Sequence, residues 1–479
     1  MANPQSAWSV ATPLLLFSCF CLLTDDMLFG YDTGSFGGVL GNPGFVNQFG
    51  TYDPQTQSYA IDSLHTSLLS SLAFIGKFIG CFAAGPAVEK YGHRMLFYAL
   101  SLVSIIGVII EITAADSGPG TGRLAQFIVG RIIVYISVGL VEVDVTTYQS
   151  EIVPARFRGL VVVSLQLFLV AGSLVASGAN KGFETRADAV GWKTVTGIQL
   201  IFPVLIIFCT YFIPNLPRWL LSQDRDDDAI AALRRIRPNE DTNKGNCELE
   251  LLQIREGLHR SNLHRTLIVI ACYFFQQATG QAFVSRYQTK FYQQNGFADQ
   301  AYTYPLVSSV LSFVAVLITM YFVDKLGSVH TLRLEATKNT VVAAFMLYQL
   351  FYNAGGASIP YLIGAEVPNA AVREKTQSLG TAWNVAWAFV TNFVIPYMME
   401  DIHYGVGWVF GSVPVVALVY TFFFLPGTKG RTLEELDAFA RPYNPFRKRD
   451  SYYTNEEGSD GSRAIYSCYP YSSGSHCSP

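Results

Sequence analysis

Charged residues are scarce in this sequence. Only 14% of its 479 residues are Asp, Glu, Lys or Arg, whereas a soluble globular domain carries about a quarter. Half of the residues are hydrophobic, and they cluster in runs. Because a helix needs about 20 mostly apolar residues to cross the hydrocarbon core of a bilayer, several runs in series predict a membrane protein with many spans. They argue against a soluble enzyme.

The sequence also lacks the features of several other protein classes. Its formal net charge of −3 gives no support for nucleic-acid binding. It contains no catalytic triad, phosphate-binding loop or metal-ligand cluster, so we expect no enzyme activity, cofactor or metal. Of its eight cysteines, five fall inside apolar runs, which favours small buried side chains over disulfides. These five are Cys19, Cys21, Cys81, Cys209 and Cys272.

The apolar runs predict eleven membrane spans. Six lie at about 12–37, 63–88, 96–113, 124–147, 159–179 and 194–213. Five more lie at about 265–285, 304–323, 339–362, 378–398 and 406–425. The polar interruption at 218–265 is helix-prone and rich in both charge signs. The first run has no basic flank and continues through Asp25, Asp26 and Asp32, so it is interpreted as a span and not as a cleaved leader.

The positions of Lys and Arg indicate which side each loop faces. Basic residues follow the second span (Lys90, Arg94) and the fourth (Arg156, Arg158), whereas the loop at 41–62 has none. Since Lys and Arg concentrate in cytoplasmic loops, both ends of the first six spans are predicted to be cytoplasmic. The predicted units are an N-terminal half (1–213), a cytoplasmic helical linker (214–264), a C-terminal half (265–425) and a cytoplasmic, largely disordered tail (426–479).

Similar charged motifs recur in the two halves. The segment 88–94 (VEKYGHR) follows the second span, and 323–328 (VDKLGS) follows the eighth. The segment 148–151 (YQSE) follows the fourth span, and 361–366 (YLIGAE) follows the tenth. Duplicated halves that rock about a central site are typical of secondary transporters.

Six motifs, taken in order, resemble those of the sugar porters of the major facilitator superfamily, particularly the fungal members. They are Phe29-Gly-Tyr-Asp32, Gly130-Arg131, Tyr148-Gln-Ser-Glu151, Pro217-Arg-Trp-Leu220, Gln276-Gln-Ala-Thr-Gly280 and Pro426-Gly-Thr-Lys-Gly430. The resemblance covers about residues 29–439. It implies an all-α membrane protein with the major facilitator fold, in which two six-helix halves are related by pseudo-symmetry.

Amide side chains within the spans are candidates for solute binding. Gln166 lies in the fifth span, and Gln276, Gln277 and Gln281 lie in the seventh. An unpaired amide in hydrocarbon costs several kcal/mol, so each should face a wet cavity or a partner helix. From the residues alone, sugar binding and helix–helix contacts explain them equally well. The resemblance assigns Gln166, Gln276 and Gln277 to the sugar site, with Gln281 as a further candidate.

The resemblance also implies contacts from later spans. Tyr361 occupies the usual Trp position of the family, and Asn392 matches another sugar contact. The sequence departs from the pattern elsewhere, since the Asn position of the seventh span holds Ala282 and Asn353 stands where many members carry Glu. The particular sugar therefore stays open.

Asp32 is the acid of most interest, because a carboxylate at membrane depth is a functional-site hypothesis by default. Arg131 of the fourth span is its candidate partner. The resemblance implies that such a pair couples protonation to opening in proton-coupled relatives, which predicts proton symport. Passive relatives can carry this Asp as well, and it could instead satisfy a helix break around Gly30 and Gly34.

Charges at the predicted cytoplasmic helix ends form a further group. We interpret them as ion pairs that close the inner side in one state and separate in another, because such pairs are individually weak. Isolated Lys or Arg could equally be topological anchors, but topology requires no acid at these positions. The group consists of Arg94, Glu151, Arg158, Asp324, Glu366 and Arg373.

The span count departs from the family, which has twelve. Only 14 residues lie between Asp324 and Asn339, too few and too charged to cross a bilayer, so the ninth span is predicted to be missing. With eleven spans, Arg373, Lys375 and the basic tail would face outside, although their charges favour the cytoplasm. We also expect the cavity to lack one wall on its C-terminal side.

These observations predict a monomeric plasma-membrane transporter of a hexose or disaccharide, coupled to protons. Its partners would be the sugar, the proton and the lipid bilayer, without nucleic acid. A passive facilitator and a transport-inactive relative are alternatives, the latter because of the missing span. A sugar sensor is a third, disfavoured because the tail is short.

Overall fold

The structure is a computed structural model that describes most of the chain. It describes residues 12–54, 57–114, 123–153, 155–237, 263–294, 300–326, 348–350, 352–353, 357, 360–361, 363–364, 373–401 and 406–424. Within these ranges it does not describe the side chains of residues 53, 150, 155–160, 162–163, 263–265, 318–326, 373–374, 407–408, 418 and 422–424.

The described residues are predominantly helical. The first helices are α1 (Pro13–Val39), α2 (Pro43–Phe49), α3 (Ser63–Ser71), α4 (Ala73–Tyr91), α5 (His93–Thr113), α6 (Leu124–Ile152), α7 (Ala155–Gly182), α8 (Ala189–Ile198) and α9 (Ile201–Thr210). They are followed by α10 (Pro217–Ser222), α11 (Asp226–Ile236), α12 (Leu263–Ala278), α13 (Gln281–Arg286), α14 (Gln288–Gln294), α15 (Thr303–Leu326), α16 (Arg373–Asp401) and α17 (Val406–Phe424). The strands β1 (Thr51–Asp53) and β2 (Ser58–Ala60) form an antiparallel pair.

Five helical segments are long and apolar enough to cross a membrane, among the residues that the structure describes. They are Pro13–Val39, Ser63–Tyr91, His93–Thr113, Leu124–Gln149 and Ala189–Thr210. They coincide with the first, second, third, fourth and sixth predicted spans. Shorter apolar helices at Thr266–Ala278, Thr303–Leu317 and Val409–Thr421 fall on the seventh, eighth and last.

Capping residues explain where three helices of the N-terminal half begin. Thr12 precedes Pro13, and Asn42 precedes Pro43, with each proline at the first helical position. The side chains of Thr12 and Asn42 accept hydrogen bonds from backbone N–H groups of the first turn. Asp62 does the same for α3 by accepting from the His65 N–H. A side-chain oxygen at the cap and a proline at the first position satisfy or remove N–H groups that have no partner within the helix.

Glycines allow the helices of the N-terminal half to approach closely. A Cβ at Gly30 of α1 would lie 1.9 Å from the Leu169 carbonyl oxygen of α7. A Cβ at Gly76 of α4 would lie 1.9 Å from the Ile132 carbonyl oxygen of α6. Between lipid-embedded helices, such close contacts supply packing energy that the hydrophobic effect does not.

The cysteines agree with the sequence interpretation. Cys19, Cys21, Cys81 and Cys209 are free and buried, and Cys272 is free and half-buried. Within the described part of the chain, these five thiols therefore serve as small packed side chains.

The two ends of the helix bundle can be distinguished by their charges. We call the end that carries Glu89, Arg94 and Arg218 the inner end, and the end that carries the β-strand pair the outer end. The linker helix α11 contacts the inner end, because the Thr12 hydroxyl donates to the Ile236 carbonyl at 2.7 Å. The predicted helix at 249–259 lies outside the described residues.

The C-terminal helices run in directions that correct one expectation. The Lys375 ammonium at the start of α16 lies 3.6 Å from the Glu89 carboxylate at the end of α4, so α16 begins at the inner end. The expectation that an eleven-span count turns Lys375 outward is therefore wrong. Lys375 lies at the end that carries Glu89, which is the side that its charge favours. The predicted missing span concerns residues 327–347, which lie outside the described residues.

Candidate solute-binding site and coupling pair

Gln166 meets a second amide from the other half of the molecule. Its side chain is buried on α7, and its Nε2 donates to Asn353 Oδ1 at 2.8 Å. Asn353 in turn donates to the Gln349 carbonyl at 2.8 Å. The contact leaves both amides hydrogen-bonded in the interior, as burial requires, and it joins the two halves.

Asn384 of α16 connects the two glutamines of α12. Gln277 Nε2 donates to Asn384 Oδ1 at 2.9 Å, and Asn384 Nδ2 donates to Gln276 Oε1 at 2.9 Å. Gln276 Nε2 donates to the Ala357 carbonyl at 2.9 Å. The three amides form one continuous polar group. Asn384 is not among the residues predicted from the sequence, although it is also an amide within a predicted span (378–398).

Gln281 and Asn392 lie apart from these amides. Asn392 is buried and its Nδ2 donates to the Ala388 carbonyl of its own helix at 2.6 Å, while its backbone carbonyl accepts from the Tyr287 hydroxyl at 2.8 Å. Gln281 is half-buried at the first turn of α13. Within the described residues, no hydrogen bond joins either side chain to Gln276 or Gln277.

Tyr361 contacts an acid of the N-terminal half. Its hydroxyl donates to Glu142 Oε1 at 2.6 Å, and Glu142 Oε2 lies 2.7 Å from the Lys77 ammonium. The ring packs edge-on against Tyr273, with the centroids 5.7 Å apart. Tyr361 therefore occupies the interface between the halves, in the same cavity lining as Gln166.

Two small cavities lie along this interface. The inner cavity, about 20 Å³, is lined by residues that include Asp26, Glu142, Gln166 and Tyr361. The outer cavity, about 30 Å³, is lined mainly by small and polar residues of α1, α7, α14 and α15. Since a cavity of about 10–15 Å³ holds a single water, neither of these cavities holds a sugar in this conformation.

The predicted coupling pair is buried and in contact. Arg131 Nη2 lies 3.5 Å from Asp32 Oδ2, and Gln199 Nε2 donates to the other carboxylate oxygen at 3.4 Å. The same Nη2 donates to the Tyr135 hydroxyl at 3.2 Å, and the guanidinium lies 3.7 Å from the centroid of the Phe36 ring. The long ion pair is thus held by neighbours on α1, α6 and the turn after α8.

A second guanidinium reaches this site from the C-terminal half. Arg286 of α13 is buried, and its Nη2 donates to the same Tyr135 hydroxyl at 3.1 Å. Its Nη1 donates to the Ser70 carbonyl at 3.5 Å, and its guanidinium lies 4.6 Å from the centroid of the Phe74 ring. Arg286 is not among the residues predicted from the sequence, although it directly follows the span predicted at 265–285, and a charged residue near membrane depth is a signal for a functional site.

The described gating residues make contacts with the N-terminal half and with the linker. Arg218 Nη1 donates to Glu151 Oε1 at 2.9 Å, and Arg94 Nη2 donates to the Tyr211 carbonyl at 3.1 Å. Glu366 and the side chains of Arg158, Asp324 and Arg373 lie outside the described residues. Between the halves, the ion pair observed at the inner end joins Lys375 to Glu89.

The halves contact each other at both ends. At the outer end, Lys290 donates to the Thr66 hydroxyl at 2.7 Å and the Ser67 hydroxyl donates to the Phe393 carbonyl at 3.0 Å. At the inner end, the Ser378 hydroxyl donates to the Cys81 carbonyl at 2.6 Å. Among the described residues, the two halves therefore contact each other at both ends.

Solved structures with this arrangement of helices belong to the major facilitator superfamily. The proton:xylose symporter XylE bound to 6-bromo-6-deoxy-D-glucose aligns with a TM-score of 0.76 and 20% sequence identity, over 89% of this chain and 99% of XylE. For XylE from E. coli, the TM-score is 0.72 in a partially occluded inward-open conformation and 0.67 in an inward-open one, each over 88% of this chain. The chain has the major facilitator fold of an all-α membrane protein.

The family follows from the sequence. The model of the family described as "Sugar (and other) transporter" matches residues 18–334 and 328–439, so the chain belongs to this family. The hexose transporter HXT8 of Saccharomyces cerevisiae is 25% identical, over 97% of this chain and 89% of the relative. The high-affinity glucose transporter ght5 of Schizosaccharomyces pombe is 26% identical, over 90% and 86%. The protein is a multi-pass membrane transporter of sugars and not an enzyme.

Proposed function

We propose that this protein carries a hexose across the plasma membrane by alternating access, in symport with a proton. The names of its fungal relatives, hexose and glucose transporters, support the solute class. The name of the fold relative, a proton:xylose symporter, supports coupling to protons. The observation that carries the proposal is the buried Asp32–Arg131 pair. An acid at membrane depth is energetically costly, so its presence there indicates a functional site by default.

The contacts between the halves support alternating access. Opening to the outside requires the outer contacts, such as Lys290 with Thr66, to break while the inner ones hold. Opening to the inside requires the reverse, including separation of Lys375 from Glu89, an exposed ion pair of the kind that contributes little stability. Two sets of weak contacts at opposite ends let modest differences in binding shift the equilibrium.

The amide groups support a neutral, hydroxyl-rich solute. Gln166, Gln276, Gln277 and Asn384 each offer donors and acceptors, and they lie toward the interface between the halves. When the halves separate, amide–amide hydrogen bonds can be exchanged for bonds to sugar hydroxyls. Gln281, Tyr361 and Asn392 remain further candidates for the same cavity.

The functional unit in this proposal is one chain in the bilayer. Both halves, 1–213 and 265–425, come from one polypeptide, so the site needs no second copy. The linker at 214–264 is assigned to the cytoplasm because its helix α11 contacts the inner end. The tail at 426–479 is assigned there because of its Lys and Arg residues.

Reconstituted protein in proteoliposomes tests the proposal. We expect labelled glucose to enter faster when the outside is acidic, and added glucose to carry protons inward, detected as a drop of internal pH by a trapped dye. Glucose flux without proton movement would instead establish a passive facilitator. Glucose binding without any flux would indicate a sensor or a transport-inactive relative. Labelled maltose, run in parallel, distinguishes a disaccharide from a hexose.

A further inference from the structure

The inner cavity carries two carboxylates beside the amide of Gln166. Glu142 of α6 and Asp26 of α1 both line it, together with Thr146 and Tyr361. Gln166 is one of the residues that the resemblance assigns to the sugar site. The acids therefore share a wall with the predicted site and are separate from the Asp32–Arg131 pair.

Glu142 has one contact from each half, an ion pair with Lys77 and a hydrogen bond from Tyr361. Lys77 lies 2.7 Å from Oε2, and the Tyr361 hydroxyl donates to Oε1 at 2.6 Å. The side chains of Lys77 and Glu142 are 2% and 6% exposed. An ionised carboxylate offers about four acceptor positions, so these two contacts leave it able to accept further hydrogen bonds.

Asp26 has an acceptor that no donor satisfies. Its Oδ2 is buried and has no hydrogen-bond partner among the described residues. A buried polar atom without a partner is costly, and a donor that enters the cavity removes that cost. The hydroxyl groups of a sugar are such donors.

We propose that Glu142 and Asp26 form a carboxylate subsite of the sugar-binding cavity, which accepts hydrogen bonds from the hydroxyls of the transported sugar. Hydrogen bonds to a charged acceptor are about twice as strong as neutral ones. Lys77 offsets the charge of Glu142, so the solute itself needs no positive charge. The subsite rests on the proposed sugar transport and deepens it.

The cavity must enlarge before a sugar reaches these acids. Tyr361 belongs to the C-terminal half, whereas Lys77 and Glu142 belong to the N-terminal half. Separation of the halves therefore removes the Tyr361 hydroxyl from Glu142 and leaves Lys77 in place. A sugar hydroxyl then takes the position of the tyrosine hydroxyl. When the sugar leaves, the Tyr361 hydroxyl returns to Glu142.

Asp144 provides a matched control. It lies on the same helix two residues after Glu142, it is 1% exposed, and its carboxylate contacts His93 Nδ1 at 2.6 Å. It does not line the inner cavity. Its replacement by Asn therefore removes an equally buried charge without touching the proposed subsite.

Kinetics of glucose uptake by the full chain in proteoliposomes test the proposal. We expect Glu142→Gln to raise KM about tenfold, because the sugar loses a hydrogen bond to a charged group. Its Vmax should stay within about threefold of that of the unaltered protein. Asp144→Asn should leave KM within about twofold. An unchanged KM for Glu142→Gln, whatever its Vmax, would overturn the proposal, because Glu142 would then only join the halves.

A further variant keeps the test decisive. Glu142→Gln leaves Lys77 without its partner, so the double variant Lys77→Gln/Glu142→Gln removes both charges, and it should show the same KM increase. A KM of the double variant equal to that of the unaltered protein would contradict the subsite.

Direct binding separates this inference from the proposed function. If the unaltered protein moves no glucose, symport and alternating access fail, but calorimetric titration of the purified full chain with glucose still addresses the subsite. Weaker binding by Glu142→Gln than by Asp144→Asn would support it. Equal binding by both variants, or no binding by the unaltered protein, would overturn it.

Discussion

The Arg131 guanidinium lies 3.5 Å from the Asp32 carboxylate, with their side chains 3% and 1% exposed. The separation is longer than that of a strong charge-assisted hydrogen bond. Gln199 also donates a hydrogen bond to Asp32, and the Tyr135 hydroxyl also accepts one from Arg131. Each partner therefore keeps other contacts if the pair separates. Such a pair can exist in two arrangements, which a coupling device requires.

Replacement of Asp32 by Asn should uncouple sugar movement from protons. The side chain keeps its size, but it can no longer bind and release a proton. We expect accumulation of glucose against a gradient to be lost, while exchange of labelled for unlabelled glucose persists. Vesicle assays with and without an imposed pH gradient measure both. The exposed Asp188 supplies the control, because Asp188→Asn should accumulate glucose normally; accumulation by Asp32→Asn would contradict the assignment.

Replacement of Asn384 by Ala should weaken sugar binding more than replacement of Asn392. Asn384 holds Gln276 and Gln277 together, whereas Asn392 Nδ2 donates within its own helix. Loss of a buried hydrogen-bonding group costs about 1–3 kcal/mol, so KM of glucose uptake should rise about tenfold for Asn384→Ala. A larger increase for Asn392→Ala would favour the original assignment of the sugar contact.

Replacement of Arg286 by Gln should loosen the outer closure. Arg286 joins α13 to Tyr135 and to the Ser70 carbonyl of α3, and glutamine is too short to make both contacts. We expect a cysteine introduced at Ser309, which lines the outer cavity, to react faster with a membrane-impermeant maleimide. The exposed Arg186 provides the comparison, and equal labelling of Arg186→Gln and Arg286→Gln would refute the role.

Replacement of Lys77 by Met should destabilise the protein. It leaves Glu142 without a cation at a site where both side chains are buried. Removing one partner of a buried ion pair costs about 3–5 kcal/mol, so the melting temperature of the detergent-purified protein should fall clearly. Adding Glu142→Gln should restore part of the loss. A melting temperature equal to that of the unaltered protein would show that the pair is not coupled.

The start of α16 should face the cytoplasm. Lys375 lies beside Glu89, so a cysteine at Lys375 should react with an impermeant reagent only after the cells are permeabilised. A cysteine at Ser58, exposed in β2 at the outer end, should react in intact cells. Labelling of the Lys375 position in intact cells would restore the inverted topology.

Sequencing the transcript across 324–339 tests the predicted loss of the ninth span.

The apolar runs predicted the helices of the N-terminal half closely. The first span, predicted at 12–37, is α1 (Pro13–Val39), and the fourth, predicted at 124–147, lies within α6 (Leu124–Ile152). Hydrocarbon imposes this result because every backbone group must be satisfied within the helix. The seventh span was less regular than predicted. It is divided at Gly280, which has a φ of 86°, a conformation that only glycine adopts readily.

The sequence by itself determined the class of this protein, its transporter family and the identity of the pair Asp32 and Arg131. Composition and motif order carry that information because span length and intramembrane charge are local properties. Only the tertiary structure decided which residues meet. It brought Asn384 to Gln276, Arg286 to Tyr135, and Tyr361 to Glu142 and Lys77. These contacts join segments far apart in the chain, and no local pattern specifies which face of one helix packs against another.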